Sequence, residues 1–190
     1  DVGPGRSMAA FTVPFLNARF LRALLLSILV GVGLWAAQPA IAADNPSGLP
    51  LPRFATTRST PINVRVGPGT RYDIAWVYVR AGTPVEIIQE FDTWRKIRDV
   101  DGSEGWVHQN LLSGKRAGLA SPWDGGAKVP LLAARDSDGG VRAWLGSGFR
   151  VEIARCDGSW CEVSATADRE EGRGPTFSGF LSQSALWGVY

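Results

Sequence analysis

The sequence predicts an all-β protein whose body is two small β-barrels in tandem. Three observations carry that reading. Short β-branched and aromatic runs alternate with Gly, Pro and Asp turn signals. No segment after Ala43 sustains a helical period. One set of spacings occurs twice: Val85-Glu86-Ile87 is followed by Trp94 and Ile97, and Val151-Glu152-Ile153 by Trp160 and Val163, each displaced by 66 residues. Gly105-Trp106-Val107 with Leu111-Leu112 likewise matches Gly179-Phe180-Leu181 with Leu186, if an insertion of about eight residues lies between Asp168 and Pro175. Upstream, Asn63-Val64-Arg65 matches Leu132-Ala133-Ala134 only loosely.

The elements follow in order. Residues 1–42 read as an N-terminal extension and a secretory signal: Arg19 and Arg22 precede an uncharged run of 15 residues, Ala23 to Ala37, and then Ala40-Ile41-Ala42. The rival reading is a membrane anchor, which needs about 20 apolar residues. Residues 43–57 are expected to be a flexible linker and 58–117 the first barrel, with strands at 62–66, 75–78, 83–90, 94–98 and 105–108. Residues 118–126, rich in Gly and small residues, read as a second linker, and 127–190 as a divergent second barrel. Barrels of this size bury only about 60% of their unfolded surface. Mutual packing, through Trp123 or Trp187, would help them.

Charge narrows the partners. The chain has 20 basic and 18 acidic residues; without residues 1–42 it has 17 of each. Arginines alternate with acids, as in Arg95-Lys96-Ile97-Arg98-Asp99, so there is no basic stripe of the kind that binds nucleic acid. Contact with a membrane is expected only in transit, through the export signal.

The glycine-rich stretch Asn63 to Asp73 is not a phosphate-binding loop. It lacks the lysine of that motif, and a strand rather than a helix follows it. Gly67-Pro68-Gly69 is instead a turn, in which the glycines are expected to take backbone angles closed to other residues while Pro68 sets one dihedral.

Two cysteines, Cys156 and Cys161, flank the hairpin signal Asp157-Gly158-Ser159-Trp160. In an oxidising compartment the pair is expected to bridge. Strict alternation opposes this, because it points Cys156 away from the face Cys161 shares with Val163; a bulge or strong twist is required. No metal site or cofactor is expected, since two cysteines and the single His108 are too few ligands. No catalytic set is expected either. Nucleophile and base would both depend on His108, no G-x-S-x-G elbow exists, and Glu90 and Asp92 fall at a hairpin tip where exposure keeps carboxyls ordinary.

Asn63-Val64-Arg65-x-Gly67-Pro68-Gly69-Thr70-x-Tyr72, then Gly82-Thr83-x-Val85-x-Ile87, Trp94-x-Lys96-Ile97 and Gly105-Trp106-Val107 together resemble the bacterial Src-homology-3-like domain. The match covers about 60 residues of the first unit. The second is degenerate, with Arg135-Asp136-Ser137 near the expected turn and Phe180 in place of the closing tryptophan. The resemblance implies a small barrel that binds rather than catalyses, of the kind that often holds cell-wall hydrolases on peptidoglycan. No catalytic domain is expected beside it in this chain.

Candidate ligand-binding residues are Arg65, Tyr72, Trp76, Tyr78, Trp94 and Trp106. Arg65 is available either to clasp a ligand carboxylate or to hold a neighbouring loop carbonyl or Asp73. The five aromatics form either a shallow trough for sugar faces or extended peptides, or covers for the barrel's own open ends. The expected role is therefore that of a periplasmic or secreted binding module for peptidoglycan or peptides, or alternatively a scaffold docking onto an envelope protein.

Overall fold

The computed structural model describes residues 45–168 and 173–190; the segment read as a signal lies outside the described residues. Among the described residues there are fourteen strands, two short 3-10 turns and no α-helix. The first seven strands are β1 (Arg53–Thr57), β2 (Ile62–Arg65), β3 (Ile74–Tyr78), β4 (Pro84–Phe91), β5 (Trp94–Arg98), β6 (Glu104–His108) and β7 (Leu112–Ser113). The second seven are β8 (Ala117–Ala120), β9 (Lys128–Leu132), β10 (Val141–Gly146), β11 (Phe149–Cys156), β12 (Trp160–Asp168), β13 (Arg173–Ser182) and β14 (Leu186–Trp187).

Two seven-stranded sheets result, ordered β3-β2-β6-β5-β4-β1-β7 and β10-β9-β13-β12-β11-β8-β14. Adding seven to each strand number of the first sheet reproduces the second. Each sheet curls around its own buried cluster, and the clusters correspond: Val64, Val85, Ile97 and Val107 in one, Leu131, Val151, Val163 and Leu181 in the other. These positions alternate with half-buried or exposed ones, except at Pro84 and Leu132, which are buried as well. The described residues are all-β, built as two small barrels.

Element boundaries differ from the sequence reading at both connectors. Arg53–Thr57, read as linker, is β1, which pairs with β4 and β7. Ala117–Ala120, the last residue of the expected first barrel and the start of the expected second linker, is β8, which pairs with β11 and β14. Both strands are short and become ordered by filling a gap in their sheet, a long-range pairing that local composition does not signal. The loose upstream match also moves. Arg65 pairs with Trp106 and Leu132 with Phe180, so the structural counterpart of Arg65 is Leu132 rather than Ala134.

The hairpin β11–β12 carries the predicted disulfide between Cys156 and Cys161. A register shift between Ile153 and Arg155 changes the parity of β11 and brings Cys156 opposite Cys161. The same shift lies in β4, between Ile87 and Gln89, and it sets Glu90 opposite Arg95. Glu90 and Arg95 therefore occupy the positions of the two cysteines.

The barrels meet at their β1 and β14 sides. Phe54 of β1 packs edge-on against Trp187, with ring centroids 5.2 Å apart, and against Tyr190 at 4.7 Å. The Tyr190 hydroxyl donates to Glu86 Oε1 at 2.6 Å. Trp187 thus takes part in the packing, whereas Trp123 is 61% exposed.

Candidate binding surface

Strand β5 is sided by alternation. Arg95 and Ile97 are buried, so Trp94, Lys96 and Arg98 stand on the outer face. On β6, Gly105 and Val107 are buried, which places Trp106 and His108 outward. Antiparallel register then assembles rows across the sheet. Phe91, Trp94 and His108 form one, and Gln89, Lys96, Trp106 and Arg65 form the next. Residues directly opposite on one face lie close enough to interact. The Trp94 ring meets the His108 ring edge-on at 5.6 Å, while Phe91 is 57% exposed beside them. His108 Nδ1 accepts the Asn110 backbone N–H at 3.3 Å, capping the 3-10 turn Gln109–Leu111 and fixing the imidazole.

Arg65 holds the loop between β2 and β3. Its Nη1 donates to the Tyr72 carbonyl at 2.6 Å, one of the two uses left open by the sequence. The Tyr72 ring lies against Gly67, where a Cβ would approach ring carbons to 2.6 Å. Neither Gly67 nor Gly69 has a positive φ. These glycines serve as space for a ring, not as the unusual backbone angles expected of them. Arg71 stacks over the same ring at 5.0 Å.

Trp76 and Tyr78 do not join this face. They pair with the core residues Val64 and Ile62, and Tyr78 is itself buried. The Tyr78 hydroxyl donates to Asp99 Oδ2 at 2.7 Å; burial, then that bond, pushes its pKa up. Trp76 closes the barrel end over Gly105, where a Cβ would lie 3.0 Å from its ring and 2.5 Å from Val64. The five aromatics thus divide: Trp94 and Trp106 face outward, Tyr72 edges the loop beside them, and Trp76 and Tyr78 cover the interior. Sequence reasoning missed Phe91, Lys96 and His108 as members of this surface. Period-two alternation from Trp94 and Trp106 marks the last two, once β5 and β6 are taken as neighbours.

Electrostatics on the outer face are mostly satisfied. Lys96 Nζ lies 2.6 Å from Glu104 Oε2, and Arg98 bridges Glu104 and Glu86 at 3.1 and 3.2 Å. Hydrogen bonds from Lys96 and then Arg98 hold the Glu104 carboxyl below the usual range.

The family model for the bacterial SH3 domain matches residues 58–114. Residues 58–114 are a bacterial SH3 domain. The outer rows around Trp94 and Trp106 belong to this SH3 domain. In the second barrel the corresponding surface is different: Leu132 stands for Arg65, Phe180 for Trp106, and the guanidinium of Arg135 covers the Phe180 ring at 5.3 Å. Glu162 replaces Lys96 and is paired with Arg155 at 2.8 Å. Among solved structures, the chain is similar to NlpC1 from Trichomonas vaginalis, at 12% identity over 73% of this chain and 46% of that one, with a TM-score of 0.29. It is also similar to NlpC2 from the same organism, at 11% identity over 72% and 48%, with a TM-score of 0.29. The chain spans less than half the length of either. No curated protein matches it.

Proposed function

We propose that this protein is a non-catalytic, exported binding module that recognises peptidoglycan or its peptides through the outer face of its SH3 domain. The observation that carries the reading is the pair of rows that set Trp94, Trp106 and Phe91 beside Arg65 on one sheet face. Flat rings offer stacking surface to sugar faces and to extended peptide backbones. Arg65 commits Nη1 to a loop carbonyl, and its guanidinium has further N–H donors for a carboxylate. The Cys156–Cys161 bridge suits an oxidising compartment, in line with a periplasmic or secreted location, and takes both thiols out of nucleophilic chemistry.

Sedimentation with insoluble peptidoglycan tests the reading, using the chain from residue 43 onward. Trp94→Ala and Trp106→Ala should each weaken binding roughly tenfold while melting temperature holds, since central aromatic contacts dominate such surfaces. Phe180→Ala should leave binding unchanged. A folded double variant that still sediments like the parent would sink the proposal. A second reading is docking onto an envelope protein. It is favoured by the apolar side chains exposed on the edge strands, Ile74 and Val77 on β3 and Val141 and Trp144 on β10. Recovery only within a protein complex, without peptidoglycan binding, would select it.

A further inference from the structure

Between the barrels lies a cleft of about 620 Å³ that the aromatic face does not use. The end of β1, the turn at Gly82 and the segment joining β7 to β8 form one wall; β11 forms the other. Its lining carries Arg58, Lys115, Arg116 and Arg150 against one carboxylate, Glu152. Elsewhere among the described residues six cations are paired with carboxylates: Arg53 and Arg95 on Glu90, Lys96 and Arg98 on Glu104, Arg135 on Asp157 and Arg155 on Glu162. Among the described residues no carboxylate pairs with Arg58, Lys115 or Arg116, and Arg150 Nη1 stands 3.9 Å from Glu152 Oε1. A chain balanced in charge has gathered these cations at one concave place, where the walls focus their field.

The walls are set rather than loose. The buried Thr56 hydroxyl donates to the Lys115 carbonyl at 3.2 Å, and the buried Thr57 hydroxyl donates to the Arg80 carbonyl at 3.1 Å while accepting the Thr83 N–H at 2.9 Å. Gly82, with φ of +74°, leaves room for the Arg150 guanidinium to cross from the other barrel; a Cβ there would lie 2.9 Å from Nη1. Both barrels therefore contribute cations to one space.

We propose that this inter-barrel cleft binds a short phosphate-rich anion. Guanidinium forks engage phosphate oxygens two at a time. Among the described residues no aromatic side chain lines the cleft, so it offers charge recognition without ring stacking. Its volume falls within the range of small-molecule sites and exceeds what a single phosphate fills, which favours a ligand with several phosphates.

Isothermal titration of the full 190-residue chain with tripolyphosphate tests this. One equivalent should bind, more weakly as salt rises. Arg58→Glu with Arg116→Glu should weaken it at least roughly tenfold, and the milder Arg58→Gln with Arg116→Gln by less. Arg142→Glu, whose side chain holds the Ser178 carbonyl, and Trp94→Ala should bind like the parent. The proposal is overturned if tripolyphosphate fails to bind at millimolar concentration, if the folded charge-reversal variant binds unchanged, or if a hexaglutamate peptide binds as tightly, which would mean a site for carboxylates or for charge in general.

Discussion

Glu90 shows how far one residue can depart from its local context. Read along the chain it sits near a hairpin tip and has an ordinary exposed carboxyl. In the fold its side chain is wholly buried, bound by Arg53 and Arg95, with Ser47 donating from both N–H (2.9 Å) and hydroxyl (2.7 Å). Burial alone would raise its pKa, but the hydrogen bonds from Ser47 and Arg53 outweigh that and hold it below the usual value. A depressed folded pKa means that protons bind the unfolded chain more tightly. The contribution is therefore complete above the ordinary glutamate value of 4.5 and is lost as pH falls through the lower folded value. Glu90→Gln, which leaves two guanidiniums facing a neutral amide, should cost about 3 kcal/mol in urea unfolding at neutral pH. It should also flatten the acid limb of the stability profile; an unchanged profile would deny Glu90 this role.

At the scale of the element, the two equivalent hairpins solve one problem by different chemistry. Both contain a bulge, and both place a linking pair across it: Glu90 with Arg95 in the first barrel, Cys156 with Cys161 in the second. The turn residues correspond as well, Asp92 with φ of +48° where the second barrel has Gly158 at +97°. Gln109 Oε1 accepts from Arg95 in one hairpin, and Gln183 Oε1 accepts the Gly158 N–H in the other. Cys156→Ser with Cys161→Ser should destabilise the second barrel by about 2 kcal/mol, the value for closing so short a loop. Hydrogen exchange should show faster opening of β11 and β12 and unchanged protection in β4 and β5. Equal loss in both barrels would contradict separate staples. Alternation correctly flagged the cysteines as mismatched, and the bulge that resolves the mismatch has no sequence mark of its own.

On the scale of the whole molecule, the barrels are joined by a small aromatic contact. Phe54 of the first barrel meets Trp187 and Tyr190 of the second. Close backbone approach sets the strand that carries Trp187: a Cβ on Gly118 or Gly188 would run into the backbone opposite, at 2.9 Å from the Trp187 carbonyl and 2.6 Å from the Ala117 carbonyl. Phe54→Ala should cost about 2 kcal/mol, a partly buried aromatic lost from a contact. Calorimetry should then resolve two transitions where the parent gives one; a single unshifted transition would mean that the contact does not couple the barrels. The sequence by itself determined the strand class and the repeated spacings, because hydrophobic period and turn chemistry are local properties repeated along the chain. Only the tertiary structure decided which aromatics share a face, where Glu90 lies and that a basic cleft exists. Bulges reverse the parity of a strand, register chooses its neighbours, and a cleft between two bodies belongs to neither until they meet.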